Sequence, residues 1–228
     1  MKLTIDYALK PYRCNQKWGI YNSAYIPFGF SHHNGEDYAL LNDSGAPVRE
    51  RNIYYHLPGN AQVVRVGFQP NGGGNFVGIV SDDPYDFEDG NYYVLVDFLH
   101  CKQVLVKEGD QIKRGQLIAI ANNTGFSTGP HCHIQYRRER FILAPANLPE
   151  SYRVRGDQQM IDVDRNDMNN SFDPAPFYTG NYAQDYVELP LPPPPQTDEE
   201  IVIQAQLSFI EVLKSYIDYL IRLLKGQK

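Results

Sequence analysis

Four histidines and one aspartate have side-chain types and spacing that suit metal chemistry. The five candidates are His33, Asp37, His100, His131 and His133. If residues 129–137 form a β-strand, side chains two positions apart share one face, so the two histidines of the H-x-H triplet project together while Cys132 points away. One face of that strand then carries two imidazoles.

A catalytic zinc ion takes three protein ligands from His, Asp or Glu and keeps a fourth position for water. Five candidates exceed three ligands, so two of the histidines are expected to act as acid/base groups beside the ion. A single histidine is more often a surface or core residue than a ligand, so the inference depends on the whole set. His56, in Tyr-Tyr-His-Leu-Pro-Gly, is interpreted as structural, and His32 lacks the four-residue offset to Asp37.

Several blocks of the chain, in order, resemble the lysostaphin-type (M23) zinc endopeptidases. The most specific is Asn123–His133, which reads Asn-Thr-Gly-Phe-Ser-Thr-Gly-Pro-His-Cys-His. The other matching blocks are 15–19, 33–39, 45–48, 106–116 and the closing segment 173–178. The resemblance implies that His33, Asp37 and His133 bind one zinc ion per chain and that His100 and His131 form the catalytic pair. His56 lies too far from His131 to replace His100 in that pattern.

The chain departs from the family pattern at four positions without losing a metal ligand. Cys101 and Cys132 replace hydrophobic residues, Gln135 stands where the family commonly has Glu, and Glu36 precedes Asp37. We expect Glu36 to face solvent rather than to assist the metal site. The two cysteines are expected to point into the opposite layer as small hydrophobic residues rather than to form a redox switch.

The resemblance also implies a function. Similar enzymes cut peptide bonds of bacterial peptidoglycan, either in glycine-rich cross-bridges or at D-amino-acid cross-links, and the sequence leaves both open. A tyrosine near the site, for which Tyr25 is one candidate, could donate to the developing oxyanion, although packing is the commoner role of a tyrosine. The alternative function is a catalytically idle subunit that binds cell wall, or a virion or assembly partner, through the same groove.

Composition sets limits on partners and location. The 228 residues carry a net charge of −6, so no basic patch argues for nucleic acid. Three scattered cysteines are too few for a disulfide framework. The first ten residues lack the apolar segment of a secretory signal, so we expect synthesis in the cytosol and action at the cell wall, as a phage lysin, a virion component or an enzyme released by lysis.

The coarse pattern predicts a mainly β protein with an antiparallel sheet over residues 1–180. Strands are predicted near 62–67, 75–80, 91–98 and 115–121, and the glycines around Asn71–Asn75 predict a flexible turn that could border the groove. Residues 146–172 are polar and predict an excursion before the closing segment.

The composition changes in the last part of the chain. A Pro-rich linker is predicted over 181–196 and an α-helix over 197–228, where Thr197 and Glu200 have capping-box spacing. The helix has an apolar heptad seam, so it is expected to form a homo-oligomer, with docking on a larger assembly or binding to a membrane surface as alternatives. Its charges make a membrane-spanning role unfavourable.

Overall fold

The protein is built almost entirely of β-strands. The structure, a computed structural model, describes residues 1–143, 153–155, 158–162 and 171–186. The strands are β1 (Ile5–Tyr7), β2 (Cys14–Gln16), β3 (Glu36–Ala39), β4 (Arg51–Tyr54), β5 (Asn60–Gln69), β6 (Gly74–Ser81), β7 (Tyr85–Phe87), β8 (Gly90–Val104), β9 (Gln111–Lys113), β10 (Leu117–Ala121), β11 (His131–Leu143), β12 (Arg153–Arg155), β13 (Gln158–Asp162) and β14 (Tyr178–Tyr182). Short 3-10 turns span Ser23–Phe28, Ala175–Phe177 and Ala183–Asp185. The predicted mainly β, antiparallel class is confirmed.

The main sheet follows the order β12-β13-β11-β8-β6-β5-β9, and every pairing along it is antiparallel. Strand β3 pairs with β11 and β2, while β10 pairs with β8 and β4. A separate pair, β1 with β14, is parallel. Strands β8 and β11 are therefore the centre of the sheet, and both carry histidines of the predicted site.

Strand alternation separates the core from the site. On β11, Cys132, Ile134 and Tyr136 are fully buried and belong to the hydrophobic core, together with Cys101 of β8. Full burial of an aliphatic side chain such as Ile134 contributes about 1.5–3 kcal/mol. The intervening residues of β11 face the other way and line a cleft. The expectation that both cysteines are packed as small hydrophobic groups agrees with this arrangement.

The predicted polar excursion and domain boundary both differ in detail from the structure. Strands β12 and β13 lie within residues 146–172 and extend the sheet beyond β11. The compact fold also continues past residue 180, because β14 runs to Tyr182 and Ala183 is fully buried. The predicted helix over 197–228 and the Pro-rich part of the linker lie outside the described residues. Within the described ranges, no helix has the length and apolar character needed to cross a lipid bilayer.

Candidate metal centre

Three elements bring the predicted metal ligands together. In the β3–β11 ladder, Asp37 lies directly opposite His133. His33 precedes β3, and its backbone N–H donates to the Ile20 carbonyl at 2.8 Å. The chain between them passes through Gly35, where a Cβ atom would lie 2.6 Å from Nε2 of His133. A glycine at position 35 is therefore required for His33 and Asp37 to approach the ring of His133.

The donor atoms of this triad converge on one point. Nε2 of His33 lies 3.1 Å from Oδ1 of Asp37 and 3.1 Å from Nδ1 of His133, and the Asp37 and His133 atoms are 3.0 Å apart. Zinc bonds of about 2.0–2.1 Å in a tetrahedral site imply ligand separations of about 3.3 Å. The residues therefore fit a small divalent ion, and the side chains of both histidines are buried.

Backbone carbonyls fix the tautomers of three rings. The Nδ1 groups of His33, His100 and His131 donate to the carbonyls of Lys17, Thr124 and Gly129, at 3.0, 2.8 and 2.8 Å. A carbonyl oxygen can only accept, so Nε2 of each neutral ring carries the lone pair. In His33 the lone pair of Nε2 faces the metal position. The hydrogen bond from Nδ1 to the Lys17 carbonyl orients the ring in this way, as is usual for histidines that bind a metal.

The predicted catalytic pair lies beside the triad. The rings of His100 and His131 have centroids 4.6 Å apart, and Nε2 of His131 is 3.5 Å from Oδ1 of Asp37. Both rings line a cleft of about 460 Å³. The structure thus brings all five predicted residues together: Asp37, His100, His131 and His133 line the cleft, and His33 contacts Asp37 and His133.

His100 has an unusual backbone conformation. Its φ is 60°, a left-handed value that costs a non-glycine residue about 1–2 kcal/mol. Its N–H donates to the Gly73 carbonyl at 2.6 Å, and its carbonyl accepts from Asn122 N–H at 3.2 Å. The glycine turn predicted to be flexible is thus held against His100, and Gly73 lines the cleft.

Burial and charge set the protonation states. Burial raises the pKa of Asp37, but hydrogen bonds and charges from His133 and His33 outweigh it and hold the pKa well below its usual range. Burial, with the neighbouring His131 and His133, lowers the pKa of His100 to about 4. At neutral pH the site therefore has an ionised carboxylate for the metal and a neutral His100 able to accept a proton.

Tyr25 lies at the same end of the cleft. Its ring stacks on His33 with centroids 5.7 Å apart, and its hydroxyl donates to Gln16 Oε1 at 3.5 Å. Burial raises its pKa to about 12, which keeps the phenol protonated. Tyr25 therefore packs against the predicted metal ligand His33 and is also one of the residues that line the cleft.

The expectation that Glu36 faces solvent is wrong. Its side chain lies on the opposite face of β3 from Asp37, within a tyrosine cluster, and is 2% exposed. It accepts a hydrogen bond from the Tyr178 hydroxyl at 2.6 Å, and that hydroxyl is 2.6 Å from the hydroxyl of Tyr38. Successive side chains of a strand point to opposite faces. Because Asp37 faces the cleft, its neighbour Glu36 points into the other layer.

His56 lies in the core, as expected for a structural residue. It is fully buried, and its Nε2 is 2.7 Å from the hydroxyl of Tyr136. It makes T-shaped ring contacts with Phe98 and Tyr136. His32 is also outside the triad and contacts Ser31 and Tyr21.

Sequence reasoning missed several residues of the cleft. Gln135 and Arg137 continue the alternation of His131 and His133 along β11, so a period of two would have found them. Arg65 on β5 and Asp97 on β8 also line the cleft. No local pattern connects those two positions, which only the pairing of β5, β6 and β8 brings together.

The cleft lies on an antiparallel sheet, where two histidines and one aspartate converge as donors. Two further histidines lie beside these donors. This combination of residues is that of a metal-dependent hydrolase. The model of peptidase family M23 matches residues 32–145, half of the chain and the stretch that contains all five site residues. The chain belongs to peptidase family M23.

Known relatives agree with this membership. The chain is 32% identical over 160 residues to the peptidoglycan DD-endopeptidase ShyA of Vibrio cholerae, covering 66% of this chain and 33% of the relative. It is 31% identical over 137 residues to the glycyl-glycine endopeptidase ALE-1 of Staphylococcus capitis, covering 59% and 33%. The chain thus spans about a third of the length of these relatives.

Among solved structures, the chain is similar to the catalytic domain of lysostaphin from Staphylococcus simulans. The two are 23% identical, with a TM-score of 0.47, and the similarity covers 73% of this chain and 91% of that domain.

Proposed function

We propose that the protein is a zinc-dependent endopeptidase that hydrolyses peptide bonds of bacterial peptidoglycan. The observation that supports this most directly is the convergence of His33, Asp37 and His133 within 3.0–3.1 Å beside the pair His100 and His131. Membership of family M23 and the peptidoglycan endopeptidases among the relatives support peptidoglycan as the substrate.

The chemistry of amide cleavage matches these groups. His33, Asp37 and His133 would hold a zinc ion, which would supply a bound water of pKa about 7 and a Lewis acid for the scissile carbonyl. His100 and His131, with unprotonated Nε2 atoms, accept the proton of the attacking water and return one to the departing amine.

Other residues of the cleft position the substrate and stabilise charge. Tyr25 lines the cleft with a protonated phenol, and we infer that its hydroxyl leaves the 3.5 Å contact with Gln16 to donate to the oxygen that gains charge during attack. The cleft runs from the two catalytic histidines along alternate residues of β11, which gives an extended peptide a surface to lie on. We infer that the enzyme acts at the cell wall, where its relatives find their substrate.

The deciding experiment is mass spectrometry of fragments released from purified peptidoglycan of several chemotypes. The protein is tested after chelation, after zinc is restored, and as the zinc-loaded His131→Ala variant. Zinc-dependent new amino termini, absent with the variant, would establish the endopeptidase and name its bond. No release from any wall by zinc-loaded protein would contradict the proposal and favour a wall-binding or assembly subunit.

A further inference from the structure

Strand β8 has a β-bulge next to the metal centre. In its ladder with β6, Val77 lies opposite Phe98 and Asn75 lies opposite Cys101. Two steps along β6 therefore match three steps along β8, and the extra residue falls between Phe98 and Cys101. His100, with its left-handed φ of 60°, lies within this bulge. Bulges re-aim side chains and occur often beside active sites.

The bulge decides which way His100 faces. Asp97 and Leu99 line the cleft, whereas Phe98 and Cys101 are fully buried in the core. Strict alternation along β8 would therefore send the side chain of His100 into the core. Because the bulge adds one residue, Leu99 and His100 face the cleft in succession. The position of this histidine in the site depends on the bulge rather than on the period of two.

The hydroxyl of Thr124 bridges the two strands at the bulge. Its Oγ1 accepts from the backbone N–H of Asn75 on β6 at 2.9 Å and donates to the backbone carbonyl of Cys101 on β8 at 2.7 Å. The backbone carbonyl of Thr124 accepts from Nδ1 of His100 at 2.8 Å. One residue of the loop after β10 therefore contacts both strands of the bulge and the ring that the bulge turns towards the cleft.

Two neighbouring residues of β6 complete this arrangement. Nδ2 of Asn75 donates to the carbonyls of Cys101 and Lys102, at 3.1 Å in both cases. Gly74 has φ +63°, and a Cβ atom there would lie 2.3 Å from Oγ1 of Thr124. Glycine therefore lets β6 approach Thr124 closely. A left-handed residue persists only where surrounding contacts hold it, and this network supplies such contacts on both sides of the bulge.

We propose that Thr124 is a positioning residue for peptide hydrolysis, which acts through His100. Its hydroxyl stabilises the bulge that turns His100 towards the cleft. Its carbonyl keeps the proton of that ring on Nδ1, so Nε2 has the lone pair that accepts a proton. Thr124 is not among the residues that line the cleft, so its effect on the reaction passes through His100. This inference rests on the proposed endopeptidase function.

The test compares Thr124→Val with Thr124→Ser in the zinc-loaded chain, on a soluble peptide that contains the bond identified in the wall digestion. Valine has nearly the shape of threonine but removes both hydrogen bonds of Oγ1, whereas serine keeps the hydroxyl. We expect Thr124→Val to lower kcat roughly 10–100-fold with KM and zinc content unchanged, since a small displacement of a catalytic group has an effect of this order. Thr124→Ser should restore most of the lost rate.

Thr179→Val is the matched control. The Thr179 hydroxyl donates to Oδ1 of Asp6 at 2.6 Å and accepts from the N–H of Asn181 at 3.0 Å, so valine removes the same two kinds of hydrogen bond. Thr179 lies on β14 and does not line the cleft, so kcat should stay unchanged. An unchanged kcat in Thr124→Val, an equal loss in both valine variants, or no rescue by serine would overturn the role of Thr124 while leaving the endopeptidase intact.

A spectroscopic measurement decides the inference without relying on turnover. The side-chain ¹⁵N chemical shifts of His100 at pH 7 report which ring nitrogen carries the proton. The wild type, Thr124→Ser and Thr179→Val should show the proton on Nδ1, and Thr124→Val should show a mixture of the two tautomers. If the zinc-loaded chain cuts no peptide, the proposed function fails, and these shifts still test the positioning role. An unchanged tautomer in Thr124→Val overturns it.

Asn75→Ala replaces Thr124→Val in both measurements if the valine variant does not fold. This variant keeps Thr124 and removes the two hydrogen bonds from Nδ2 to the carbonyls of β8. It should lower kcat and mix the tautomers of His100. Wild-type values of both quantities would overturn the inference that this network holds the bulge.

Discussion

Asp37 and His133 are direct cross-strand neighbours, and Oδ1 of the first lies 3.0 Å from Nδ1 of the second. The ladder between β3 and β11 therefore sets the spacing of two of the three metal donors. A sheet is a rigid support for such a site, because neighbouring strands are held at a fixed separation by backbone hydrogen bonds.

Removal of a donor should abolish metal binding. Loss of a group that only hydrogen-bonds to a metal ligand lowers metal affinity roughly 10–100-fold. Asp37→Asn removes a ligand itself, so it is expected to lower zinc affinity by more than this. Zinc content after dialysis, measured by elemental analysis, checks this. Asp43→Asn, at an exposed carboxylate that pairs with Arg51, is the control and should retain about one zinc per chain. Equal zinc content in the two variants would contradict the ligand assignment.

Substitution of either histidine of the catalytic pair should reduce turnover without reducing metal binding. His131→Ala and His100→Ala are each expected to keep zinc and to lose about 10²–10⁴-fold in kcat, since they remove a proton-transfer group. Steady-state rates on a soluble peptide, with zinc content measured on the same samples, test this. His32→Ala, which alters a histidine outside the triad, should leave both quantities unchanged. Full activity in His131→Ala would refute its role.

Gly45 and Gly125 have similar φ angles but different surroundings. Substitution at the two positions therefore separates the cost of backbone strain from the cost of a steric clash. Gly45 has φ +82° and no neighbour within 4 Å of an added Cβ, so Gly45→Ala should cost only about 1–2 kcal/mol of stability. Gly125 has φ +76°, and its Cβ would lie 2.2 Å from the backbone N of Gly74.

Gly125→Ala should therefore be less stable than Gly45→Ala in urea unfolding. It should also lower kcat, because the segment that it displaces holds His100 through Thr124 and Gly73. Equal stability and activity in the two variants would show that this packing does not support the catalytic histidine.

Burial of His56 makes stability depend on pH. Its folded pKa is lowered to about 3, from an unfolded value near 6.5. The unfolded chain therefore binds the proton first, and stability falls as the pH drops from 6.5 towards 3. The loss at pH 5.5 relative to pH 7.5 is about 1.4 kcal/mol.

The measurement compares urea unfolding of metal-free wild type and His56→Gln at the two pH values. The variant should lose about 1.4 kcal/mol less than the wild type on acidification, and His32→Gln should behave like the wild type. Parallel losses in all three proteins would show that His56 titrates normally in the folded state.

The C-terminal helix predicted over 197–228 lies outside the described residues and remains a prediction from its heptad seam. Removal of residues 190–228 is expected to lower the oligomeric state, because it removes that apolar seam, without abolishing cleavage of a small soluble peptide. Light scattering of both proteins measures this, and an unchanged mass would refute the oligomer interpretation.

One part of the site follows a local rule, whereas the roles of His33, Asp37 and His100 were predicted from the resemblance to the M23 family. The period of two along β11 placed His131 and His133 on one face, and the same rule extends to Gln135 and Arg137. The left-handed conformation of His100 and the pairing of Arg65 with Asp97 could not be predicted. Both depend on contacts between segments distant in sequence, Gly73 with His100 and β5 with β8 across β6.

The position of Cys132 between two cleft histidines has a consequence for metal selectivity. Its thiol is buried in the core, and burial raises its pKa well above the usual value, so the cleft presents nitrogen and oxygen donors and no thiolate from β11. A slip of β11 by one residue would exchange the two faces, placing a soft sulfur donor at the cleft and two imidazoles in the apolar layer. The register of one strand therefore decides whether this chain offers the ligand chemistry of a hydrolytic zinc site or that of a thiophilic metal.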